Sequence, residues 1–302
     1  TDDDLKAKYA ELKPAFRQNV ETRDIKFVDF QIKASAADRS QVVKEMNDFQ
    51  KQLASAVDPA AVVSKSGSEI PYLGLPVSSK AYQQYPDIAS KIDSLSVGTT
   101  GVVENAQDNT LNIIRVLSKA QLADSIQFRQ INIAAATPDE ARAKADSIQK
   151  ALAGGADFDA LAKRYGQTGE KVWFTGQQYE MAPSMNQDNR TFINALLNGE
   201  VNATQNLALT QGNIILQVLD KKAFTTKTTA AVIKKVVDFS KATRSNAYNK
   251  FSEFVAKSST VADLEKNAPK SGYQVQSLND ISTAEHYVGG IPGTRDALKW
   301  LF

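Results

Sequence analysis

The chain of 302 residues contains no cysteine and a single histidine, His286. Without cysteine there are no disulfides, thiolate zinc sites, iron–sulfur clusters or cysteine nucleophiles. One histidine leaves one place where a Ser-His-Asp triad could find its base, and no acid or nucleophile pattern surrounds His286, which reads as a surface loop residue. A surplus of one charge sign is also missing. Thirty-six basic residues face 34 acidic ones, for a formal net charge of +2, whereas a nucleic-acid binder carries a concentrated basic footprint. Apolar runs such as 213–219 are strand-length, far short of a membrane helix, and no signal-peptide pattern opens the chain. Neither G-x-x-x-x-G-K nor G-x-G-x-x-G occurs. No metal, nucleotide or redox cofactor is expected. What is present is 42% apolar residues, enough for buried cores, on a length suited to two or three domains of about 100–150 residues. The segment 297–302 (Ala-Leu-Lys-Trp-Leu-Phe) is apolar to its end. A natural terminus rarely leaves such residues bare, so the expectation is a fragment of a longer protein, in which a membrane anchor would not be visible.

Two stretches match at an offset of about a hundred residues, which makes an internal repeat the organising feature. Residues 92–98 (IDSLSVG) parallel 193–199 (INALLNG), and 113–119 (IIRVLSK) parallel 215–221 (ILQVLDK). Copy one opens with an alternating segment, 25–32, expected as a strand with one buried face. Ser35 then caps a helix whose apolar face is Val42, Met46, Phe49 and Leu53. A short helix near 59–65, a Pro/Gly-rich stretch over 70–77, a helix at Ile92 and a strand over 111–117 follow. Copy two has clearer punctuation. Residues 128–133 read as its first strand, and Thr137-Pro138-Asp139-Glu140 as a capping box with proline at the first helical position. Gly154-Gly155 stop that helix. Phe158, Leu161, Ala162 and Tyr165 mark a second one, and a third helix and a strand close the copy. The order implies an α+β fold, with helices packed on a small antiparallel sheet. A third, incomplete unit begins near Ala230, with a strand over 232–239, a helix over 241–257, a strand near 273–275 and a helix over 295–302. Residues 2–19 form a charged leading helix with Leu5, Tyr9, Leu12 and Phe16 on one stripe, which is expected to pack on a neighbouring element. The expected organisation is therefore 1–20, 21–122, 123–226 and 227–302.

Copy two resembles the parvulin-type (PpiC-like) peptidyl-prolyl isomerases over 126–222. The residues that carry the likeness are Ala153-Gly154-Gly155-Ala156-Asp157-Phe158, Val172-Trp173-Phe174-Thr175-Gly176, Met181-Ala182-Pro183-Ser184-Met185, Asn198-Gly199-Glu200-Val201 and Ile215–Asp220. Copy one looks like an eroded version, and the whole arrangement is similar to the PpiD/SurA group of envelope foldases. That resemblance implies unfolded or proline-containing polypeptides and envelope proteins as partners. It implies no nucleic acid, a location on the periplasmic side of the inner membrane, and membrane contact only through an anchor outside this segment.

The family places one histidine in the first strand and another in the last, a Cys or Asp after the second helix, and a Ser or Thr before the last strand. Here those positions hold Gln130, Ile214, the Gln167–Thr168 region and Thr210. In copy one the histidine positions are Asp29 and Asn112. Neither copy has a histidine at either place. The resemblance implies that Trp173, Phe174, Met181, Met185 (where the family usually has Phe) and Phe192 line an apolar substrate cup, with core packing as the plain alternative for each. Prolyl isomerisation breaks no bond. Its barrier is amide resonance, roughly 18–20 kcal/mol, and catalysis requires a site that favours the twisted amide. A surviving cup without histidines suggests a binding module of weak or absent activity. An active isomerase and a structural spacer are the alternatives.

Overall fold

The computed structural model describes residues 1–16, 20–182 and 184–302. The chain begins with α1 (Asp2–Leu12), β1 (Thr22–Phe27), α2 (Ala36–Ser55), α3 (Pro59–Ser66), α4 (Pro86–Ser94), β2 (Thr100–Asn105) and β3 (Thr110–Ile133). Next come α5 (Pro138–Ala153), α6 (Phe158–Arg164), β4 (Val172–Thr175), α7 (Gln177–Glu180), α8 (Gln187–Asn198), β5 (Thr204–Leu209) and β6 (Gly212–Val236). The last elements are α9 (Lys241–Ala256), α10 (Val261–Asn267), β7 (Gln276–Ser282) and α11 (Arg295–Leu301). The fold is α+β, and both sheets are antiparallel. Among the described residues no helix is long and apolar enough to cross a membrane.

The chain divides into two compact units, one of residues 36–238 and one of 1–35 with 239–302. The first is built on an antiparallel ribbon of β3 and β6, which stay paired from Thr110↔Val236 to Ile133↔Asn213 with two register shifts. Around it the sheet order is β2-β3-β6-β5, with β4 on β3 beyond β2. Local signals start and stop the helices as expected. Asp58 caps α3, Thr137 caps α5 ahead of Pro138, and the Asp157 carboxylate accepts the Ala160 N–H at 2.7 Å to start α6. Met46 and Leu53 on α2 are buried, as the spacing anticipates.

The expected boundaries at 122/123 and 226/227 both fall inside strands. Residues 117–125 and 220–228 contain neither glycine nor proline, and both continue as strand, with one local irregularity at Ala223, whose φ is +54°. The closing strand of copy one therefore runs directly into the opening strand of copy two. Likewise β6 runs on to Val236, so the strand expected to open the third unit pairs instead with Thr110–Ile114 of copy one. There it takes the place that Phe128–Ile133 takes in copy two. Both copies feed a common core, in which Ile88, Ile92, Ile114 and Val232 join Phe128, Leu196, Leu216 and Val218.

The second unit pairs β1 with β7, from Phe27↔Gln276 to Thr22↔Ser282. Ile25, Phe27 and Leu278 pack on Ile281, Val288 and Leu298. Phe30 stacks on Phe251 at 4.3 Å, and Tyr273 closes that aromatic cluster. The opening strand of copy one thus serves the helices of the third unit. It spans Thr22–Phe27 rather than 25–32, and the later strand begins at Gln276 rather than near Tyr273. α1 ends at Leu12, before a 3-10 turn through Pro14, and buries none of its residues, so Leu5, Tyr9 and Leu12 do not form the packed stripe expected. Residues 17–19 of the expected helix lie outside the described residues.

Candidate functional site

Strand alternation sorts the site residues. In the copy-two half of the sheet, Ile131, Ile133 and Ile215 point to one face and pack under α5 and α6 with Ala145, Ile148, Phe158 and Leu161. Phe128, Gln130 and Asn132 point to the other face, across from Leu216 and Ile214 (Gln130↔Leu216, Asn132↔Ile214). That second face carries α8, whose Phe192 ring meets Phe128 edge-on at 5.5 Å. The two histidine positions of the resemblance, Gln130 and Ile214, therefore do lie on one face. Gln130 donates from Nε2 to Asn132 Oδ1 at 3.1 Å. No group on this patch of Phe128, Gln130, Asn132, Ile214 and Leu216 titrates near neutral pH.

An apolar cleft of about 290 Å³ lies beside α8, lined by Phe174, Tyr179, Met185, Phe192 and Ile193, with Asn189 and Gln178 at its polar margin. It brings together Phe174, Met185 and Phe192 as expected. The Phe174 and Tyr179 rings stack at 5.7 Å to form one wall. The Tyr179 hydroxyl donates to Pro76 O at 2.6 Å, and burial pushes its pKa up to about 12. Trp173 does not join them. Phe174 packs on the core, so the adjacent Trp173 must face the other way on β4. It stands 40% exposed with the Lys222 ammonium 4.7 Å from its ring. Met181 is also elsewhere, on a larger open cavity of about 590 Å³ with Ser78, Asp124, Glu180 and Phe224. Pro183, between the two methionines, lies outside the described residues.

The remaining polar positions are structural in their contacts. The Gln167 carboxamide accepts the Asn132 N–H at 2.9 Å and donates to Asn132 O at 2.7 Å, standing in for one residue of a strand on the edge of β3 that β4 leaves open. Thr168 beside it is exposed. Thr210 sits exposed in the β5–β6 turn, and its backbone N–H donates to the Asp188 carboxylate of α8 at 3.1 Å. Asp188, in the first turn of α8, was not singled out in the sequence. Copy one has no open counterpart of the site. Asn112 is fully buried, donates to Thr110 Oγ1 at 3.1 Å and lies across from Lys234, whose ammonium donates to Asp108 at 2.6 Å and to Thr110 at 2.9 Å. Asp29 belongs to the other unit, so the two copy-one positions do not form a pair on one sheet.

A feature with no sequence signal is the buried ion cluster under the larger cavity. Lys227, with none of its side chain exposed, donates to Asp124 at 2.7 Å and to Glu180. The Glu180 carboxylate also accepts the Ser78 N–H at 2.9 Å and hydroxyl at 2.6 Å. Burial pulls the Lys227 pKa down, but the hydrogen bonds to Asp124 and Glu180 outweigh it and leave it above its ordinary value. The cluster ties loop 76–78 of copy one to α7 of copy two. Arg190 makes a second tie, donating to Leu73 O at 2.8 Å and Tyr72 O at 3.2 Å. Among the described residues no group of three or more acidic or histidine side chains is placed to hold a metal ion.

In the 111–222 segment the antiparallel strands run in the order β4-β3-β6-β5, with α5 and α6 packed on one face and α8 on the other. Residues 111–222, rather more than a third of the chain, match the family model of the PPIC-type PPIASE domain. No curated protein matches the chain.

Proposed function

We propose that the 36–238 unit is the polypeptide-binding part of a periplasmic folding factor, working as a chaperone or scaffold with weak or absent isomerase activity. The observation that carries the reading is the split character of the site. The apolar cleft brings together Phe174, Met185 and Phe192, while the adjoining face holds the amide of Gln130 and the aliphatic Ile214 where the family has histidines. Burying a client side chain in the cleft gains roughly 1.5–3 kcal/mol, which suits transient holding of unfolded chains. Envelope proteins as clients, and a tether on the periplasmic side of the inner membrane, extend this reading by the likeness to envelope foldases.

Isomerase activity is the second reading, favoured by the Gln130–Asn132 amide pair on the sheet face. Isomerisation needs hydrogen bonds that stabilise a twisted amide rather than a proton carrier. One pair of measurements separates the two. With the protein in excess over a short X-Pro peptide, the cis–trans rate is expected to stay at background. Aggregation of a chemically unfolded protein is expected to be suppressed stoichiometrically, and Phe192→Ala is expected to weaken that suppression. A peptide rate that rises with protein concentration and drops in Phe192→Ala would transfer the assignment to catalysis. A flat rate with no suppression would leave a spacer.

A further inference from the structure

Along the middle of the β3–β6 ribbon the outer side of β6 has no neighbouring strand among the described residues. On the outer side of β6, Val218 O accepts the Asn202 N–H at 2.7 Å, and Thr228 exchanges both backbone bonds with Val77 at 2.7 and 3.1 Å. Between these two points no strand or loop pairs with β6. By alternation, Thr226 and Phe224 present their N–H and C=O to the same side as Thr228, and neither group has a backbone or side-chain partner among the described residues. An open strand edge of this kind is a template for another strand, and proteins normally guard it with lysine. Lys221 and Lys227 on this stretch are turned to internal partners, Lys222 is 62% exposed beside Asp220, and Lys80 stands exposed on the wall of the adjoining cavity. Lys221 donates to Leu197 O at 2.7 Å, Lys222 pairs with Asp220 at 3.0 Å under the Trp173 ring, and Lys227 is sealed in the ion cluster. Beside the edge lies the cavity of about 590 Å³ whose walls include Lys80, Ala223, Phe224, Thr225 and Met181. Phe224 is 61% exposed and Met181 46%, so two large apolar side chains stand unpacked next to free backbone groups.

We propose that an extended segment of unfolded polypeptide binds here as an added antiparallel strand on Phe224–Thr226 of β6, with one of its apolar side chains seated between Phe224 and Met181. The occupant follows from the edge itself. Val77 already occupies the neighbouring position in antiparallel register and then leaves at Ser78, so an incoming strand continues an existing pairing. Main-chain hydrogen bonds give affinity without regard to sequence, and the apolar seat adds selection for an exposed hydrophobic residue. The carboxylate Oδ2 of Asp124, on the cavity wall, takes no hydrogen bond among the described residues and offers an acceptor to a client amide or basic side chain.

This inference deepens the client-binding reading and rests on it. The experiment places a photo-crosslinking residue at position 224 or 192 in the full chain, with reduced, unfolded α-lactalbumin as the probe. The 224 position is expected to crosslink at least as strongly as 192. Thr226→Pro, which deletes one outward N–H at an edge position where proline is tolerated, is expected to reduce binding about tenfold, as is Phe224→Ser. Each variant's thermal unfolding is compared with the parent, and Phe224→Ser, at an exposed side chain, serves if Thr226→Pro fails to fold. Undiminished binding in Phe224→Ser and in a folded Thr226→Pro overturns the edge while leaving the client reading standing. A parent chain that captures no unfolded probe at either position overturns both.

Discussion

Lys227 shows how much a single side chain can control. It is an ammonium with no exposed surface that bridges two carboxylates from different elements. Replacing it leaves Glu180 buried and unpaired, which costs about 3–5 kcal/mol. Lys227→Met is therefore expected to lower the midpoint of a urea melt strongly, and Lys227→Met with Glu180→Gln to recover part of the loss. The pH dependence follows from the sign of the shift. The folded-state pKa of Lys227 lies above its ordinary 10.5. Its contribution is thus complete below pH 10.5 and fades as pH rises through the higher folded value. Melting temperatures taken between pH 9 and 11.5 should fall faster in the parent than in the double variant. Gly176 belongs to the same cluster, because a Cβ there would collide with the Asp124 carboxylate. None of this was legible beforehand. A lysine in the run Thr225-Thr226-Lys227-Thr228 looks like any solvated strand lysine until distant residues are folded over it. Gln130 and Ile214 were legible, because a fixed place in a strand pattern determines which face a side chain takes.

At the scale of elements, helices were easier to read than strand limits. Caps and glycine stops act over three or four residues, so Thr137-Pro138 and Gly154-Gly155 bounded α5 closely. Strand identity depends on what pairs with it. The 117–125 and 220–228 segments are rich in Ser, Thr, Lys and Gln, as linkers are, yet each lies in a continuous strand. β5 escaped notice because Thr204–Leu209 has weak alternation, and its pairing with Gly212–Gln217 is what defines it. The resemblance grouped Trp173 with Phe174, yet adjacency in a strand places the two on opposite faces. The Gln167 side chain acts at this scale too, by extending the edge of β3. Gln167→Ala is expected to cost about 1 kcal/mol. It should also speed amide exchange at Asn132 relative to Ile131, as read by hydrogen-exchange NMR. Unchanged protection at Asn132 would mean the carboxamide is not holding that edge.

Over the whole molecule, the repeats are not beads on a string. The opening strand of copy one is given to the third unit, and the first copy borrows the end of β6. A chain begun at Ala36 should therefore keep the 36–238 unit intact while the 239–302 segment loses its partner strand. The check is amide protection in the 36–302 chain, where Gln276–Ser282 should exchange freely and Ile113–Val116 should remain slow. Protection retained over 276–282 would mean that β7 has a partner other than β1. The exchange of strands also sets a clock on synthesis. Phe27 is paired with Gln276, so the first strand leaves the ribosome about 250 residues ahead of its partner. At roughly 5–20 residues per second that is a delay of about 12–50 s. Throughout it the segment Thr22–Phe27, with Ile25 and Phe27 still uncovered, must be kept from pairing with another chain. A protein whose open sheet edge is proposed to hold the unfinished strands of others would itself depend, early in its life, on the same kind of restraint.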